Sequence, residues 1–341
     1  MKKQTQQLNI LGPDVLSLDL VDYPSLGSND LIVAIKFCGI CGTDLSYISS
    51  GGLMGPQKDP MPLGHEMSGI VIEIGTDVKD ININDRVAIN PMGNNNSIGN
   101  GGPEGGMTNF LLVKNAILNE SIFKLPDEMS FEIGALVEPF AVALRTINRS
   151  NLYQDSKIAV CGLGCIGFSV VTLLSYFGYK NIIATDLYNL RVFNANEVDS
   201  VKAYSDWESF TDALKEFHGE EEIFGIPVSN TDVFIDCTGN HKLISNIINV
   251  SKKHARIVIT GLHQEQALID FRAVLMRELE ITCSMAYSNI EFLESLKILS
   301  NDMIDQNKFI SHKCKIQDHK KAFELAKDGN LASKVMIDLC N

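Results

Sequence analysis

An α/β fold with an open parallel sheet, preceded by a mostly-β segment, is predicted for this 341-residue chain by three observations. Lys157-Ile-Ala-Val-Cys161 is short and nearly all apolar, as a parallel strand buried on both faces demands. A glycine-rich turn, Gly162-Leu-Gly164-Cys165-Ile166-Gly167, follows it directly, and a second apolar segment ends at Asp186. Further short apolar strands at residues 233–237 and 257–260, separated by helical stretches, give the alternation of a doubly wound sheet.

Taken in order, residues 8–86 read mostly as β, with strands at 31–37 and 68–74 and turns containing Gly, Asp, Asn and Pro between them. Residues 91–106 (PMGNNNSIGNGGPEGG) hold nothing able to pack a core and are expected as a loop. Residues 131–148 look helical, with Glu138-Pro139 in the middle or at a helix junction. Residues 168–177 carry enough apolar side chains for a helix packed on the sheet. The tail from residue 289 is helix-rich and ends in a strand-like segment, 334–339. Neither an internal repeat nor a low-complexity linker is evident.

Length suggests about two domains. A composition of 45% hydrophobic and 21% charged residues supports large cores and argues against disorder. The formal charge of -13 argues against a nucleic-acid partner, whose phosphates demand a basic surface. Met1-Lys-Lys-Gln-Thr-Gln-Gln7 has no apolar run behind it, so no signal peptide is expected. No run approaches the roughly 18 apolar residues of a membrane span. The eight scattered cysteines read as reduced thiols in a cytoplasmic protein.

Each glycine of the turn has a task in binding a dinucleotide. Gly162 permits the tight turn, Gly164 lets backbone approach a pyrophosphate beside Ile166, and Gly167 lets the helix pack closely on the strand. The N–H groups and positive dipole end of the helix then face the anion. Asp186 lies about twenty residues beyond the last glycine, where its carboxylate accepts from a ribose diol and repels a 2′-phosphate, favouring NAD over NADP. The alternative for Asp186 is a cap on a helix beginning near Leu190. Arg191 is within reach of the same ribose or is a solvated helix charge. Thr238 and Gly239 follow a strand end and line the cofactor cleft, since ligands bind at the carboxyl ends of such strands.

The remaining chemistry sits earlier. Cys38-Gly-Ile-Cys41-Gly-Thr43-Asp44 follows a strand, and Gly64-His65-Glu66 follows a proline-rich loop. Three readings compete. A redox Cys-x-x-Cys needs a helix starting at the first cysteine, and Gly42 with the 49–52 stretch disfavours a long one. A structural zinc wants four Cys or His ligands, and no second Cys-x-x-Cys exists. A catalytic zinc needs three protein ligands and an open position, which Cys41, His65 and an acid satisfy. A buried thiol and a satisfied histidine would be the plain explanation of either residue alone.

Gly39-Ile-Cys41-Gly-Thr43-Asp44, Gly64-His65-Glu66-Met-Ser-Gly69, Asp85-Arg86-Val87, Glu138-Pro139-Phe-Ala-Val-Ala and the glycine turn occur in the order found in zinc-dependent medium-chain alcohol dehydrogenases. Over essentially its whole length the chain resembles that family, most closely the polyol branch of sorbitol, butanediol and threonine dehydrogenases. The resemblance implies a GroES-like, mostly-β catalytic domain (1–145), an inserted Rossmann NAD-binding domain (146–285) and a return to the catalytic domain (286–341). It implies catalytic zinc at Cys41, His65 and Glu138, with Glu66 as alternate ligand or neighbour, and a homodimer or homotetramer. Thr43 would then take the substrate's hydroxyl proton rather than merely cap a turn, and Asp44 would orient a ligand.

Three departures from the family pattern matter. Residues 91–106 contain no cysteine, so the family's second, structural zinc is expected to be absent, leaving one zinc per chain. The relay histidine usual after the catalytic cysteine is Ser46. Sorbitol dehydrogenases carry an arginine before a substrate-pocket tyrosine; here Ala286 precedes Tyr287, which puts sorbitol itself in doubt. The function expected is NAD-dependent oxidation of a secondary alcohol or polyol, with a small-molecule substrate and no membrane or nucleic-acid partner. A zinc-free reductase of the quinone type and a non-catalytic NAD-binding protein are the alternatives.

Overall fold

The computed structural model describes residues 3–301, 304, 305 and 308–340. The chain divides into two compact units: 1–138 with 288–328 and 334–341, and 139–287 with 329–333.

The first unit begins with the hairpin β1 (Gln4–Gly12) and β2 (Val15–Asp22), followed by β3 (Leu31–Gly39) and α1 (Gly42–Ser50). Next come β4 (Met61–Pro62), β5 (Glu66–Ile74), β6 (Arg86–Ile89), β7 (Phe110–Val113), β8 (Ile122–Lys124) and α2 (Phe131–Ala135). Leu31, Ile32, Val33 and Ile35 of β3 are all buried, so this strand lies in the middle of the core rather than on one solvated face. The helical reading of 131–148 resolves as a junction: α2 stops at Ala135 and α3 (Val137–Arg149) starts one residue before Glu138.

The second unit alternates strand and helix. β9 (Lys157–Cys161), α4 (Cys165–Tyr176), β10 (Asn181–Thr185), α5 (Asn189–Asn196), β11 (Val201–Tyr204) and α6 (Trp207–Ala213) form its first half. A small hairpin, β12 (Glu220–Ile223) with β13 (Ile226–Ser229), precedes β14 (Val233–Asp236), α7 (His241–Val250), β15 (Arg256–Ile259), α8 (Phe271–Arg277) and β16 (Glu280–Cys283). The six main strands are parallel in the order β11-β10-β9-β14-β15-β16, reversing direction of progression between β9 and β14. Ala159, Phe234, Ile257, Ile244 and Ile247 are buried together, joining strands to α7 in one core. This is the doubly wound sheet the alternation predicted, with β11, β16 and the hairpin added to the strands legible in sequence.

The chain then re-enters the first unit as α9 (Asn289–Leu299), β17 (His312–Lys315), α10 (His319–Lys327) and β18 (Val335–Asp338). Strand β18 inserts beside β3, pairing Met336 with Gly39, and the larger sheet runs β17-β18-β3-β5-β6-β8, with β7 also on β3. The C-terminal return thus completes the sheet that carries the metal-ligand motifs.

One local expectation holds and one is corrected. The helix after the cysteine pair, α1, has only nine residues and starts at Gly42 with Cys41 as its N-cap, not at Cys38 as a redox pair needs. The 91–106 segment is a loop with a short helical turn at Gly93–Asn95, yet it contributes to a core, because Ile98 is fully buried. Side-chain amides hold it: Asn96 Nδ2 donates to the carbonyls of Gly93 and Lys114 (both 2.8 Å), and Asn94 Nδ2 to Asn115 (2.6 Å).

Candidate active site

Strand β3 delivers Cys41 and β5 delivers Glu66, because Gly39 and Glu66 are paired neighbours across the sheet. Gly64 has a left-handed φ of 94°, and an added Cβ there would overlap Cys38 Sγ and Met107. That bend lets the consecutive side chains of His65 and Glu66 converge, although neighbours on a straight strand point apart. Among the described residues, donor atoms of Cys41, His65 and Glu66 lie within 4.8 Å of one another. Cys38 is not of this group. Burial pushes its thiol up, and the Asp44 and Glu66 charges add to the effect, so Cys38 stays a neutral packing residue.

Asp44, with no exposed surface, ties two of the three together. Its Oδ2 accepts from the Cys41 backbone N–H at 2.8 Å, and its Oδ1 faces His65 Nδ1 at 3.4 Å. An acid at the third helical position reaching back to the N-cap closes the first turn of α1. Facing Nδ1, it also leaves His65 Nε2 as the ligating nitrogen. Burial alone would lower the His65 pKa, but the negative charges of Asp44 and Cys41 outweigh it and hold the group well above its ordinary value. The pocket is organised to stabilise positive charge.

Lys334, which sequence reasoning missed, completes the arrangement. Its ammonium is ion-paired with Glu66 Oε2, and both side chains are almost wholly buried. It also donates to the Ile40 carbonyl at 3.1 Å. A Cβ on Gly39 would overlap the Glu66 carboxylate and touch the lysine stem, which explains that glycine. A lone lysine abutting the apolar run of β18 was the available signal. A thiol, an imidazole and a carboxylate converging within 4.8 Å are donor types that a divalent cation such as zinc takes, so the set fits one. Glu138 stands in the first turn of α3, half-buried, outside the group of mutually close donors.

In the second unit the turn behaves as its spacing requires. Gly162 has φ 90° and packs against Thr238, and a Cβ on Gly167 would collide with the Gly162 carbonyl. Gly164 is the N-cap of α4, so the helix starts on the turn, with Cys165, Ile166 and Gly167 in its first positions. Asp186 is not a helix cap, since Tyr188 occupies that place for α5. Its Oδ2 accepts from Leu163 N–H at 2.6 Å and its Oδ1 from Tyr188 N–H at 2.9 Å. Arg191 Nη1 lies 3.5 Å from the same carboxylate, and a Cβ added to Gly164 would meet its guanidinium at 3.7 Å. Thr238 and Gly239 follow β14 at the carboxyl edge.

Comparison with known proteins agrees in both units. Residues 27–127 match the alcohol dehydrogenase GroES-like domain and residues 165–301 the zinc-binding dehydrogenase model. Sorbitol dehydrogenase of Ovis aries is 30% identical over 357 residues, covering 97% of this chain and 95% of that one. L-idonate 5-dehydrogenase of Vitis vinifera is 29% identical, with 97% and 93% covered. The crystal structure of 2R,3R-butanediol dehydrogenase from Bacillus subtilis superposes with a TM-score of 0.84 at 25% identity, covering 98% of this chain and 99% of that one.

Proposed function

The chain belongs to the zinc-binding medium-chain alcohol dehydrogenases, in the branch of the polyol dehydrogenases, and we propose that it oxidises a small secondary alcohol or polyol to the ketone with NAD and a single catalytic zinc. The observation that carries this reading is the convergence of half-buried Cys41 with buried His65 and Glu66. A quinone-type reductase or a non-catalytic binder has no use for such a set. We assign the catalytic domain to residues 1–145 and 286–341 and the NAD-binding domain to 146–285.

When bound, zinc supplies Lewis acidity toward the alcohol oxygen, and NAD accepts the hydride. The chain's own residues do the rest. Cys41 and His65 hold the metal, and Asp44 orients both. Glu138 closes the set directly or through water. Glu66 stays within exchange reach, because the buried Lys334 competes for its carboxylate. Thr43, in the first turn of α1, would take the hydroxyl proton while giving its own toward the nicotinamide ribose; Ser46 occupies the place of the usual relay histidine. Asp186 accepts from the adenosine ribose and disfavours a 2′-phosphate, with Arg191 beside it. Ala286 ahead of Tyr287 favours a substrate other than sorbitol.

A homo-oligomer is favoured by the second unit's surface. Strand β16 is an open sheet edge, and Leu268, Phe271, Leu275 and Met276 around α8 are exposed. No helix among the described residues is long and apolar enough to cross a membrane, and the eight cysteines are free, in keeping with a reducing cytoplasm.

Elemental analysis of the purified protein should give one zinc per chain, and a panel of polyols and secondary alcohols should generate NADH absorbance. Two zincs, or none after metal-replete purification, would overturn the metal assignment. Glu138→Ala should lower zinc occupancy, whereas Glu66→Ala should mainly slow turnover. Full zinc and full activity in Glu138→Ala would remove Glu138 from the ligand set.

A further inference from the structure

A buried acid and an imidazole meet at the carboxyl end of the parallel sheet, outside both the glycine turn and the metal cluster. Asp236 ends β14 and is fully enclosed. Its Oδ1 accepts from the backbone N–H (2.8 Å) and the hydroxyl (2.6 Å) of Thr238. Its Oδ2 takes Nε2 of His263 at 2.7 Å. An ionised carboxylate only accepts, so Nε2 is the donor, and in the neutral imidazole the free lone pair lies on Nδ1. Nδ1 is buried without a hydrogen-bond partner, while the side chain as a whole keeps 17% of its surface exposed. Both acid oxygens are engaged, so the imidazole is where this pair can take a ligand.

The loop bearing His263 is built into the cofactor edge. Thr260 and Gly261 N–H groups both donate to the Asp236 carbonyl at 2.9 Å. A Cβ on Gly261 would collide with the Gly239 backbone, and one on Gly239 with the Leu262 carbonyl. A Cβ on Gly162 would meet the Thr238 methyl at 2.7 Å. One close-packed stack therefore runs from the glycine turn through Thr238 to the His263 loop.

The strand order identifies what that loop faces. A sheet of this order is two mononucleotide-binding halves, here β9-β10-β11 and β14-β15-β16. Asp186 follows β10, the second strand of the first half; the His263 loop follows β15, the second strand of the other half. If Asp186 takes the adenosine ribose, the equivalent station faces the ribose on the nicotinamide side.

We propose that His263, held by Asp236, binds the nicotinamide-side ribose of the dinucleotide, a ribose hydroxyl donating to Nδ1 and satisfying that orphaned nitrogen. Binding requires the ring to turn about χ2, a broad torsion in imidazoles, so that Nδ1 leaves its buried position for the ribose. The assignment rests on the nucleotide reading above and adds to it a residue in the second half of the site.

The test is binding, measured on the full zinc-loaded protein. NADH affinity is followed by nicotinamide fluorescence and ADP affinity by calorimetry, for wild type, His263→Ala and His263→Phe, with melting temperature as a control on folding. His263→Phe keeps a ring in place without nitrogens. Loss of one ligand hydrogen bond should weaken NADH about tenfold in both variants, with ADP affinity unchanged, because ADP fills only the adenosine half. Wild-type NADH affinity in His263→Phe, or an equal loss for NADH and ADP, would overturn the proposal. A wild-type protein that binds neither nucleotide would instead bring down the cofactor reading, and this assignment with it.

Discussion

The two units build their sites from opposite materials. In the mostly-β unit the site is made of charged side chains taken out of water: Asp44, Glu66 and Lys334 are all nearly inaccessible, and His65 lies among them. In the parallel-sheet unit the turn is made of backbone: three glycines, a helix N-terminus, and an acid whose oxygens accept from N–H groups on either side. Histidines register the difference. Asp44 and Cys41 hold His65 well up, whereas burial pushes His218, against Thr231 in the second unit, down to about 4. A site of buried charges depends on every partner; a site of backbone donors depends on shape.

Removing a metal ligand should break that comparison most severely. His65→Ala should lose zinc and about a thousandfold in turnover, the several kcal/mol a Lewis acid supplies, while NADH binding, read by fluorescence, persists. Loss of NADH binding along with zinc would show that the sites are not separable.

Lys334→Met comes next. Stranding the Glu66 carboxylate should cost roughly 3–5 kcal/mol of stability, and Lys334→Met with Glu66→Gln should recover much of it. Urea denaturation of the two variants decides. If the double variant is no more stable than the single, Lys334 acts through packing and not through charge.

The opposite region is probed by pH. Because the folded His218 pKa lies below the unfolded value of 6.5, the unfolded chain takes up a proton that the native state refuses. Stability should be unaffected above pH about 6.5, fall as pH drops toward about 4, and lose roughly 3 kcal/mol in all. His218→Gln should flatten that slope in denaturation measured between pH 4 and 7; an unchanged slope would assign it to other groups.

The smallest effect is expected at Asp186. Its charge should disfavour a 2′-phosphate by about 1 kcal/mol at a solvated distance, so Asp186→Ala should narrow NAD preference severalfold, with Arg191 left to meet the phosphate. Equal efficiency with NAD and NADP in the wild type would count against the assignment.

What the sequence by itself determined is what depends on neighbours along the chain. The apolar strand, the glycines, the helix start and Asp186 fall within thirty residues, and their periods and turn chemistry are local physics. The cysteine and histidine motifs were legible for the same reason, as short runs with ligand-type side chains. Tertiary structure alone decided the rest. Lys334 meets Glu66 only because β18 returns to pair with β3, nearly three hundred residues later in the chain. His263 meets Asp236 only because β15 lies beside β14. Ile98 is buried, although its loop composition promised no core, because its glycines and asparagines fold the segment on itself through side-chain amides. A buried charge finds its partner through space, and no spacing along the chain encodes that distance.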